Sequence, residues 1–526
     1  MRFKIIYYFL LIAPILVWSQ QEFHVFTSTH KISPGLSSGN GSLKQPWDLQ
    51  TALDQKEDVV NGGDTIWLHE GTYNGRFISK LKSTIREKQI IISAYKSDRV
   101  ILNGNVPSDT SSILEIHGGQ VTFKNLEITF IGRFSRDVKD PNFQNVGGIN
   151  HLDGEDCHFI NLKIHNTPGS GIGSWKRTGG SSIIGCTIFN NGYMSKVRGS
   201  GVGIYVQNQS DKTRLIKDNL IFNNYYKGVE VWSATSGSKF EFVKNVTLQN
   251  NIIFNNGLPA GVHVDNVIIA SADRDGINVA KNIILENNIL YHNSDFTSKK
   301  NFGDGASLTL GLNANAPIEN VKVKDNIIVG KNNALRILYA KTLEFKNNIA
   351  YCGYVHFYSP VLEHLNSTNW KFSNNTYYSR TSNPFRISNH KDYALSTWQD
   401  EFKIDLNSQR KQVATFDLPP ILKIIKSQEK TDHFKLALFN KQGENVMVDV
   451  SKYQIPIGKT YTIRDVENNE SISKGILEAS MKIQFKMGKL NKTAVNFGVY
   501  ILEFDTDERL ESDKKSFFKR LFGWLF

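Results

Sequence analysis

The chain has 526 residues, of which 40% are hydrophobic and 21% are charged, so it is long enough for one large and one small domain. Its formal net charge of +12 would attract an acidic glycan electrostatically, although it would equally serve solubility. Only three cysteines occur, which excludes a disulfide-stapled scaffold, and no Cys/His spacing indicates a zinc site.

The N-terminal residues have the pattern of a secretory signal peptide. Arg2 and Lys4 precede an apolar run from Ile5 to Val17, and a polar stretch follows it. The run is shorter than the roughly 20 residues that a transmembrane helix needs. We therefore expect residues 1–20 to be a signal peptide and the protein to be secreted, in the periplasm or at the cell surface; an uncleaved anchor is the alternative. Export and the absence of a binding motif argue against nucleic acid as a partner.

An internal repeat runs through the middle of the chain. The stretch from Lys217 to Asn224 returns from Gln249 to Asn256 and again from Glu286 to Asn293. Weaker copies extend the repeat in both directions, and its anchor positions are Asn125, Asn161, Gly185, Asn219, Asn251, Asn288, Asn326, Asn348 and Asn375. The steps between anchors run from 22 residues (Asn326 to Asn348) to 38 residues (Asn288 to Asn326).

The repeat predicts a stack of β-strand coils. The shortest step suffices for three short strands and three turns, and longer steps add loops. Each unit is rich in apolar and β-branched residues punctuated by Asn or Gly, whereas helical repeats avoid that punctuation. Alternate apolar residues would point inward, and the asparagines would form a ladder in which each amide bonds the next. We expect these asparagines to be structural rather than ligands.

Two short helices are expected to cap the stack. Pro46 to Leu53 reads as a short amphipathic helix before a first strand from Asp64 to Leu68. At the other end, Leu395 to Phe402 reads as a second cap around Trp398. Caps of this kind would protect the open edges of the outermost strands.

These stretches resemble a known family. Gly39 to Ser42, Pro46 to Leu53, Gly63 to Leu68 and Gly71 to Tyr73 are similar to the opening of pectate-lyase-like right-handed parallel β-helix proteins. The stretch from Gly203 to Asn223 resembles exported bacterial β-helix repeat proteins. The resemblance implies an all-β chain with a β-helix over residues 21–410. It also implies a polysaccharide partner, because that superfamily includes lyases, glycoside hydrolases, epimerases and adhesins.

Past residue 410 the pattern changes to short alternating strands, which predict a small antiparallel β-sandwich-like domain over residues 415–505. The predicted strands are His433 to Phe439, Val446 to Val450, Thr460 to Val466, Met481 to Phe485 and Phe497 to Phe504. We favour a packing lid on the end of the β-helix over a ligand-binding module. Residues 506–526 form a basic, apolar tail that either contacts a membrane surface or partner, or docks on its own domain. We expect a monomer.

Candidate site residues lie on the strand after each Asn-rich strand. Alternation there predicts an outward row in which aromatic faces stack on sugars, Arg pairs a uronate carboxylate, and Glu or His transfers protons. That row comprises Trp175, Tyr205, Gln207, Glu230, Trp232, Thr309, Arg336 and His356. The coil after Asn251 is ambiguous, with its strand at either Val262 to Asp265 or Asn266 to Ile269; the second fits the spacing better.

Two reactions fit these residues. In β-elimination on a uronate, His263, Tyr205 or Lys227 would be the base, and Arg336 or Ca²⁺ would neutralise the carboxylate. Asp265, Asp273 and Asp275 are the candidate Ca²⁺ ligands, because carboxylates at this density suit that ion. In hydrolysis, Glu230 would pair with Asp265 or Asp273. The basic charge favours elimination on an acidic glycan. Non-catalytic glycan binding or surface adhesion is the rival.

Overall fold

The computed structural model describes residues 20–292, 305–487 and 496–505. The predicted signal peptide, apart from Gln20, and the basic tail lie outside these ranges. Within them the chain is almost entirely β-structure, arranged as three long sheets and a smaller C-terminal unit. Among the described helices, none is long and apolar enough to cross a membrane.

Three sheets of twelve described strands each form the sides of the β-helix. Sheet A comprises Glu22–Val25, Thr65–Leu68, Ile90–Ala94, Val121–Lys124, His158–Ile160, Ser182–Ile184, Arg214–Lys217, Lys244–Gln249, Lys281–Glu286, Glu319–Lys324, Leu343–Lys346 and Trp370–Ser373. Sheet B comprises Gly71–Asn74, Val100–Asn103, Glu127–Thr129, Lys163–His165, Thr187–Phe189, Leu220–Phe222, Ile252–Phe254, Ile289–Tyr291, Ile327–Val329, Ile349–Tyr351, Thr376–Ser379 and Gln409–Gln412. Sheet C comprises Phe77–Ser79, Ser112–Ile116, Gly147–His151, Ile172–Ser174, Ile204–Val206, Val229–Ser233, Val267–Ser271, Leu308–Leu310, Leu335–Ile337, Val355–Tyr358, Phe385–Ser388 and Asp392–Tyr393.

Each coil passes through sheets A, B and C in turn, and neighbouring strands pair in parallel, as Arg214–Lys217 does with Lys244–Gln249. The all-β prediction of a parallel β-helix is confirmed. Only the last strand of sheet C, Asp392–Tyr393, pairs antiparallel among the three sheets' described strands. A two-stranded hairpin, Tyr193–Met194 with Gly199–Ser200, projects from one coil.

The N-terminal end differs from expectation in one respect. The outermost strand is Glu22–Val25, which pairs with Thr65–Leu68, so the predicted first strand is in fact the second. Because Glu22–Val25 lies directly after the signal-like segment and carries no repeat motif, its pairing had no marker in the sequence. The capping helix is Leu49–Leu53, and the side chain of Asp48 accepts a hydrogen bond from the Thr51 N–H at its start.

The far end and the remaining helical turns are short. The second helix, Leu395–Phe402, has the predicted bounds, and Trp398 is fully buried against the stacked ring of Phe385. Four 3₁₀ turns connect strands elsewhere in the described part of the chain: Leu258–Ala260, Ser359–Glu363, Val413–Thr415 and Ser451–Tyr453.

From strand Val121–Lys124 onward, the turn between sheets A and B has two residues. The first is left-handed, as at Asn250 with φ 59°. The second, as at Asn251, is buried and bonds along the stack: its Nδ2 donates to Asn288 Oδ1 at 2.9 Å, and its Oδ1 accepts from Asn219 Nδ2 at 3.0 Å. The expected ladder is therefore present, although the early anchors Asn125 and Asn161 occupy the left-handed position instead.

The C-terminal unit is antiparallel, as predicted, with a five-stranded and a two-stranded sheet around a separate apolar core. Its larger sheet comprises Ile421–Lys426, His433–Phe439, Phe497–Phe504, Thr460–Asp465 and Ser471–Ile476, and the smaller one Asn445–Asp449 and Lys482–Lys486. Strands Ile421–Lys426 and Ser471–Ile476 were missed because apolar and polar residues do not alternate regularly along them.

This unit covers the flank of the β-helix formed by sheet B rather than its end. Phe497 stacks on Tyr291 with ring centroids 3.9 Å apart, within one apolar cluster that both parts share. The Lys435 ammonium, buried in this contact, donates to the carbonyl oxygens of Gly185 at 2.6 Å and Cys186 at 3.1 Å. Lys423 donates to Asn250 Oδ1 at 2.6 Å. The expectation of a lid on the helix end was therefore wrong in location.

The three cysteines are free thiols buried inside the β-helix. Burial raises the pKa of Cys157 to about 12, of Cys186 to about 11 and of Cys352 to about 12. Each is therefore a protonated, packed side chain, in agreement with the absence of a disulfide scaffold.

We expect Asn251→Ala to destabilise the protein by roughly 3 kcal/mol. It leaves the Asn219 amide and the Ile216 carbonyl without their buried partners, and each such loss costs about 1–3 kcal/mol. Asn315→Ala, in an exposed turn, is the matched control and should cost about 0.5 kcal/mol or less. Urea unfolding of both variants measures the difference; equal, small losses would contradict a stabilising ladder.

Candidate functional site

Sheet C has an outward column of side chains, one from each coil. The strand registers align Tyr205 with Glu230, Glu230 with Ile268, and Thr309 with Arg336. Strand Val267–Ser271 fills the ambiguous coil, in the register that the spacing favoured. From strand Gly147–His151 onward, the column runs Asn150, Gly173, Tyr205, Glu230, Ile268, Thr309, Arg336, His356 and Arg386. Successive members are about 4.8 Å apart along the stack.

A cluster of charged side chains occupies the middle of this column. Lys227 Nζ donates to Glu230 Oε1 at 2.9 Å. Arg336 Nη2 donates to both carboxylate oxygens of Asp265, at 3.0 and 3.1 Å, and its Nε donates to Thr309 Oγ1 at 2.8 Å. Thr309 in turn donates to Asp265. We call Lys227, Glu230, Asp265, Thr309 and Arg336 the charged cluster; it contains two carboxylates, each bonded to a cation.

The proton affinities of two groups beside Glu230 are both raised. Burial and the charge of Glu230 raise the pKa of Tyr205 to about 12, so its phenol keeps its proton. Burial alone would lower the pKa of Lys227, but the charges of Glu230 and Asp265 outweigh burial and raise it. Of the three bases suggested by the sequence, these two therefore hold protons rather than accept them near neutral pH.

The third, His263, lies in the turn that carries Asp265. Its ring stacks on His292 with centroids 4.4 Å apart, and burial lowers the pKa of His263 to about 2. Its Nε2 is buried and has no hydrogen-bond partner among the described residues. His292 Nε2 bonds the carbonyl oxygens of Val264 and Ala306 at 2.9 and 3.0 Å, which fixes the stacked pair in place. His263 is thus a neutral ring inside the turn.

The three candidate calcium ligands have different surroundings. Asp265 is bonded to Arg336 and Thr309, as above. Asp273 accepts the backbone N–H of Ile277 at 2.8 Å and of Asn278 at 3.0 Å, which closes its own loop, and Asp275 is exposed. Within the described ranges no group of three or more His, Cys, Asp or Glu side chains could hold a metal ion. These oxygens do not form a Ca²⁺ cage here, so we assign the ion no step, and the calcium site stays a prediction.

Aromatic side chains lie on the N-terminal side of the charged cluster. Trp175 packs against Tyr205 with ring centroids 5.1 Å apart, and its Nε1 donates to Asn150 Oδ1 at 2.6 Å. Gln207 Nε2 donates to the Tyr205 hydroxyl at 3.1 Å and to the Trp232 carbonyl at 3.2 Å. Trp175, with 37% of its surface exposed, presents a ring to solvent one coil from Tyr205.

A second aromatic group lies on the C-terminal side and was largely missed from the sequence. Tyr339, Tyr354 and Tyr358 surround His356, whose Nε2 bonds Ser388 Oγ at 2.7 Å. Only His356 among them was predicted. The signal for Tyr358 was the alternation along strand Val355–Tyr358, which places it on the same face as His356. Tyr339 follows the end of strand Leu335–Ile337, where alternation gives no reliable direction.

Comparison with known proteins places the chain by its fold. Residues 71–244 match the family model described as right handed beta helix region. The match covers less than half of the chain, and it agrees with the parallel β-helix fold described above. A search of curated proteins finds no match.

Solved structures that match part of this fold include the following three proteins. Pectate lyase Pel9A has a TM-score of 0.43 and 16% identity, covering 70% of this chain and 78% of that one. A rhamnogalacturonan lyase has a TM-score of 0.45 and 15% identity, covering 71% and 86%. The Azotobacter vinelandii mannuronan C-5 epimerase AlgE4 A-module has a TM-score of 0.39 and 15% identity, covering 69% and 92%.

The buried histidines predict loss of stability in acid. Burial lowers the pKa of His292 to about 4. Below pH 6.5 this histidine is therefore protonated in the unfolded chain but stays neutral in the folded chain until the pH approaches 4. Stability should fall as pH falls from 6.5, by about 1.4 kcal/mol per pH unit for this group.

We expect the free energy of unfolding of His292→Gln to fall by about 2 kcal/mol less than that of the wild type when the pH is lowered from about 7 to about 5. Urea unfolding at the two pH values measures this difference. Equal losses in the two proteins would contradict the assignment.

Proposed function

We propose that this protein is a secreted lyase that cleaves an acidic, uronate-containing polysaccharide by β-elimination on the outward face of sheet C. The observation that carries the proposal is the position of the charged cluster: two cations and two carboxylates lie at the middle of the sheet C column, with aromatic rings on both sides along the same axis. A polysaccharide laid along the coils would place ring faces on the aromatics and a carboxylate on the cations.

In this proposal Lys227 and Arg336 neutralise the uronate carboxylate, which makes the C5 proton removable. The acceptor of that proton is Glu230, because Tyr205 and Lys227 hold protons and the pKa of His263, lowered to about 2, makes its ring a weak base. A carboxylate base of this kind suffices for proton abstraction beside a carbonyl group. His263 and the aspartates of the turn then serve to shape the site.

The electron pair of the C5–H bond forms the C4=C5 double bond while the C4–O bond breaks. The Tyr205 hydroxyl donates its proton to the departing glycosidic oxygen. The proton on Glu230 returns to the Tyr205 phenolate, its neighbour one coil away, so no water is consumed and both residues are restored.

Hydrolysis by Glu230 and Asp265 is less well supported. A glycoside hydrolase needs one of its two carboxyl groups to donate a proton. Both carboxylates here accept hydrogen bonds from a cation, Lys227 for Glu230 and Arg336 for Asp265. That arrangement suits proton acceptors and charge balance rather than a proton donor.

The proposal is tested by incubating the mature chain with polygalacturonate, alginate and other acidic glycans, with and without Ca²⁺, and following the ultraviolet absorbance of the new double bond. A rise with one glycan supports elimination and names the substrate class. A flat trace with new reducing ends indicates hydrolysis instead. Retarded migration in a glycan-containing gel with neither signal indicates a binding or adhesion protein.

On the glycan that is cleaved, Glu230→Gln should lower kcat by at least about a hundredfold, because it removes the proton acceptor while keeping the side-chain shape. Glu319→Gln, on sheet A, is the matched control and should keep wild-type activity. Retention of activity by Glu230→Gln would overturn its assigned role.

A further inference from the structure

We propose that a group of rings beyond Arg336, which we call the distal aromatic platform (Tyr339, Tyr354, His356 and Tyr358), is a binding subsite for the sugars next to the reaction centre. Its consequence is that the protein acts within long glycan chains and discriminates against short ones. This inference rests on the proposed function for the identity of the ligand, but it concerns binding and chain length rather than the chemical step.

The platform is a cluster of rings in contact. Tyr339 and Tyr358 have ring centroids 5.3 Å apart, and His356 and Tyr358 have centroids 5.1 Å apart, nearly edge to face. The Tyr354 ring lies 5.9 Å from His356. All four side chains are partly exposed, so ring surface remains accessible to a ligand.

The platform is continuous with the charged cluster. Tyr339 follows Arg336 on the same coil, and His356 on the next coil is the register partner of Arg336, so the platform adjoins the cation directly. On the other side of the cluster Trp175 packs on Tyr205, the register partner of Glu230. From the coil of Trp175 to that of Tyr358 there are six strand steps, or about 29 Å at about 4.8 Å each.

The chemistry of the platform differs from that of the cluster. Arg386 lies 4.1 Å from the centre of the Tyr354 ring, and its Nη2 donates to Asp392 at 2.8 Å. Burial and the neighbouring Tyr358 raise the pKa of Tyr339, which keeps that phenol neutral. A neutral ring surface suits stacking against sugar faces, whereas carboxylate recognition belongs to Lys227 and Arg336.

These positions separate two functions along one axis. The charged cluster would select the acidic sugar, and the rings on both sides would hold its neighbours in the polymer. A disaccharide on the charged cluster leaves the platform empty, whereas a longer chain covers it. Binding should therefore strengthen with chain length, and the gain should disappear when the platform's rings are removed.

The experiment compares calorimetric binding of size-fractionated oligogalacturonates and oligomannuronates to the full mature chain. The wild type should bind a long oligomer about tenfold more tightly than a disaccharide, because its additional sugars stack on the rings of the platform. The double variant Tyr339→Ala/Tyr358→Ala should lose that gain while its disaccharide affinity stays unchanged. Tyr95→Ala, on the sheet A side, is the matched control and should behave as the wild type.

A thermal melt of each variant confirms folding, and Tyr339→Leu/Tyr358→Leu, which keeps side-chain volume, replaces the alanine variant if that fails to fold. A length preference that survives in the folded double variant overturns the inference, as does a wild type that binds neither oligomer series. Length-dependent binding without cleavage supports the platform and overturns the lyase proposal. The two proposals therefore fail by different signals.

Discussion

The structure depends on the two-residue turn between sheets A and B. A left-handed residue followed by a buried asparagine turns the chain sharply, and the asparagine amide bonds both the turn before it and the turn after it, as Asn251 does with Asn219 and Asn288. Because each amide satisfies buried backbone groups, the turn can be short and dry without leaving polar atoms unpaired. A short turn of constant shape keeps all later strands in register.

The register of the strands in turn determines which side chains lie side by side on the outer face of sheet C. Side chains at one position of successive strands lie in a straight column, so Tyr205, Glu230 and Arg336 share a line although more than 130 residues separate the first from the last. Of the other two long sheets, sheet B is covered by the C-terminal unit, with Phe497 on Tyr291 and Lys435 buried against turn carbonyls. That unit stabilises the flank formed by sheet B, with which it shares an apolar cluster.

Much of the fold could be predicted because the repeat is local. The Asn-rich units contain the turn chemistry in their own residues, and the helix around Trp398 had clear bounds. Strand Glu22–Val25 could not be predicted, since its stability comes from pairing with a distant strand rather than from its own pattern. The coverage of sheet B had a signal that was overlooked: triplets such as Leu220–Phe222 are apolar at all three positions, which is typical of strands buried on both faces.

The outward residues of sheet C could be predicted from alternation alone. Their hydrogen-bond partners could not be predicted in this way. That Asp265 bonds Arg336 over an intervening coil depends on how a turn folds back, and that Tyr205 keeps its proton depends on burial by neighbouring coils. Neither follows from spacing. Tyr339 and Tyr358 were visible as residues, yet their ring contact is a consequence of stacking two coils of different length.

The burial of the three thiols has a consequence for folding in an oxidising compartment. Thiol oxidation requires the thiolate and an approach path, and folding removes both from Cys157, Cys186 and Cys352. The window for adventitious disulfides is therefore limited to the time before the coils close. Once folded, the protein is insensitive to the redox state of its surroundings, and copies cannot become cross-linked through an unpaired cysteine.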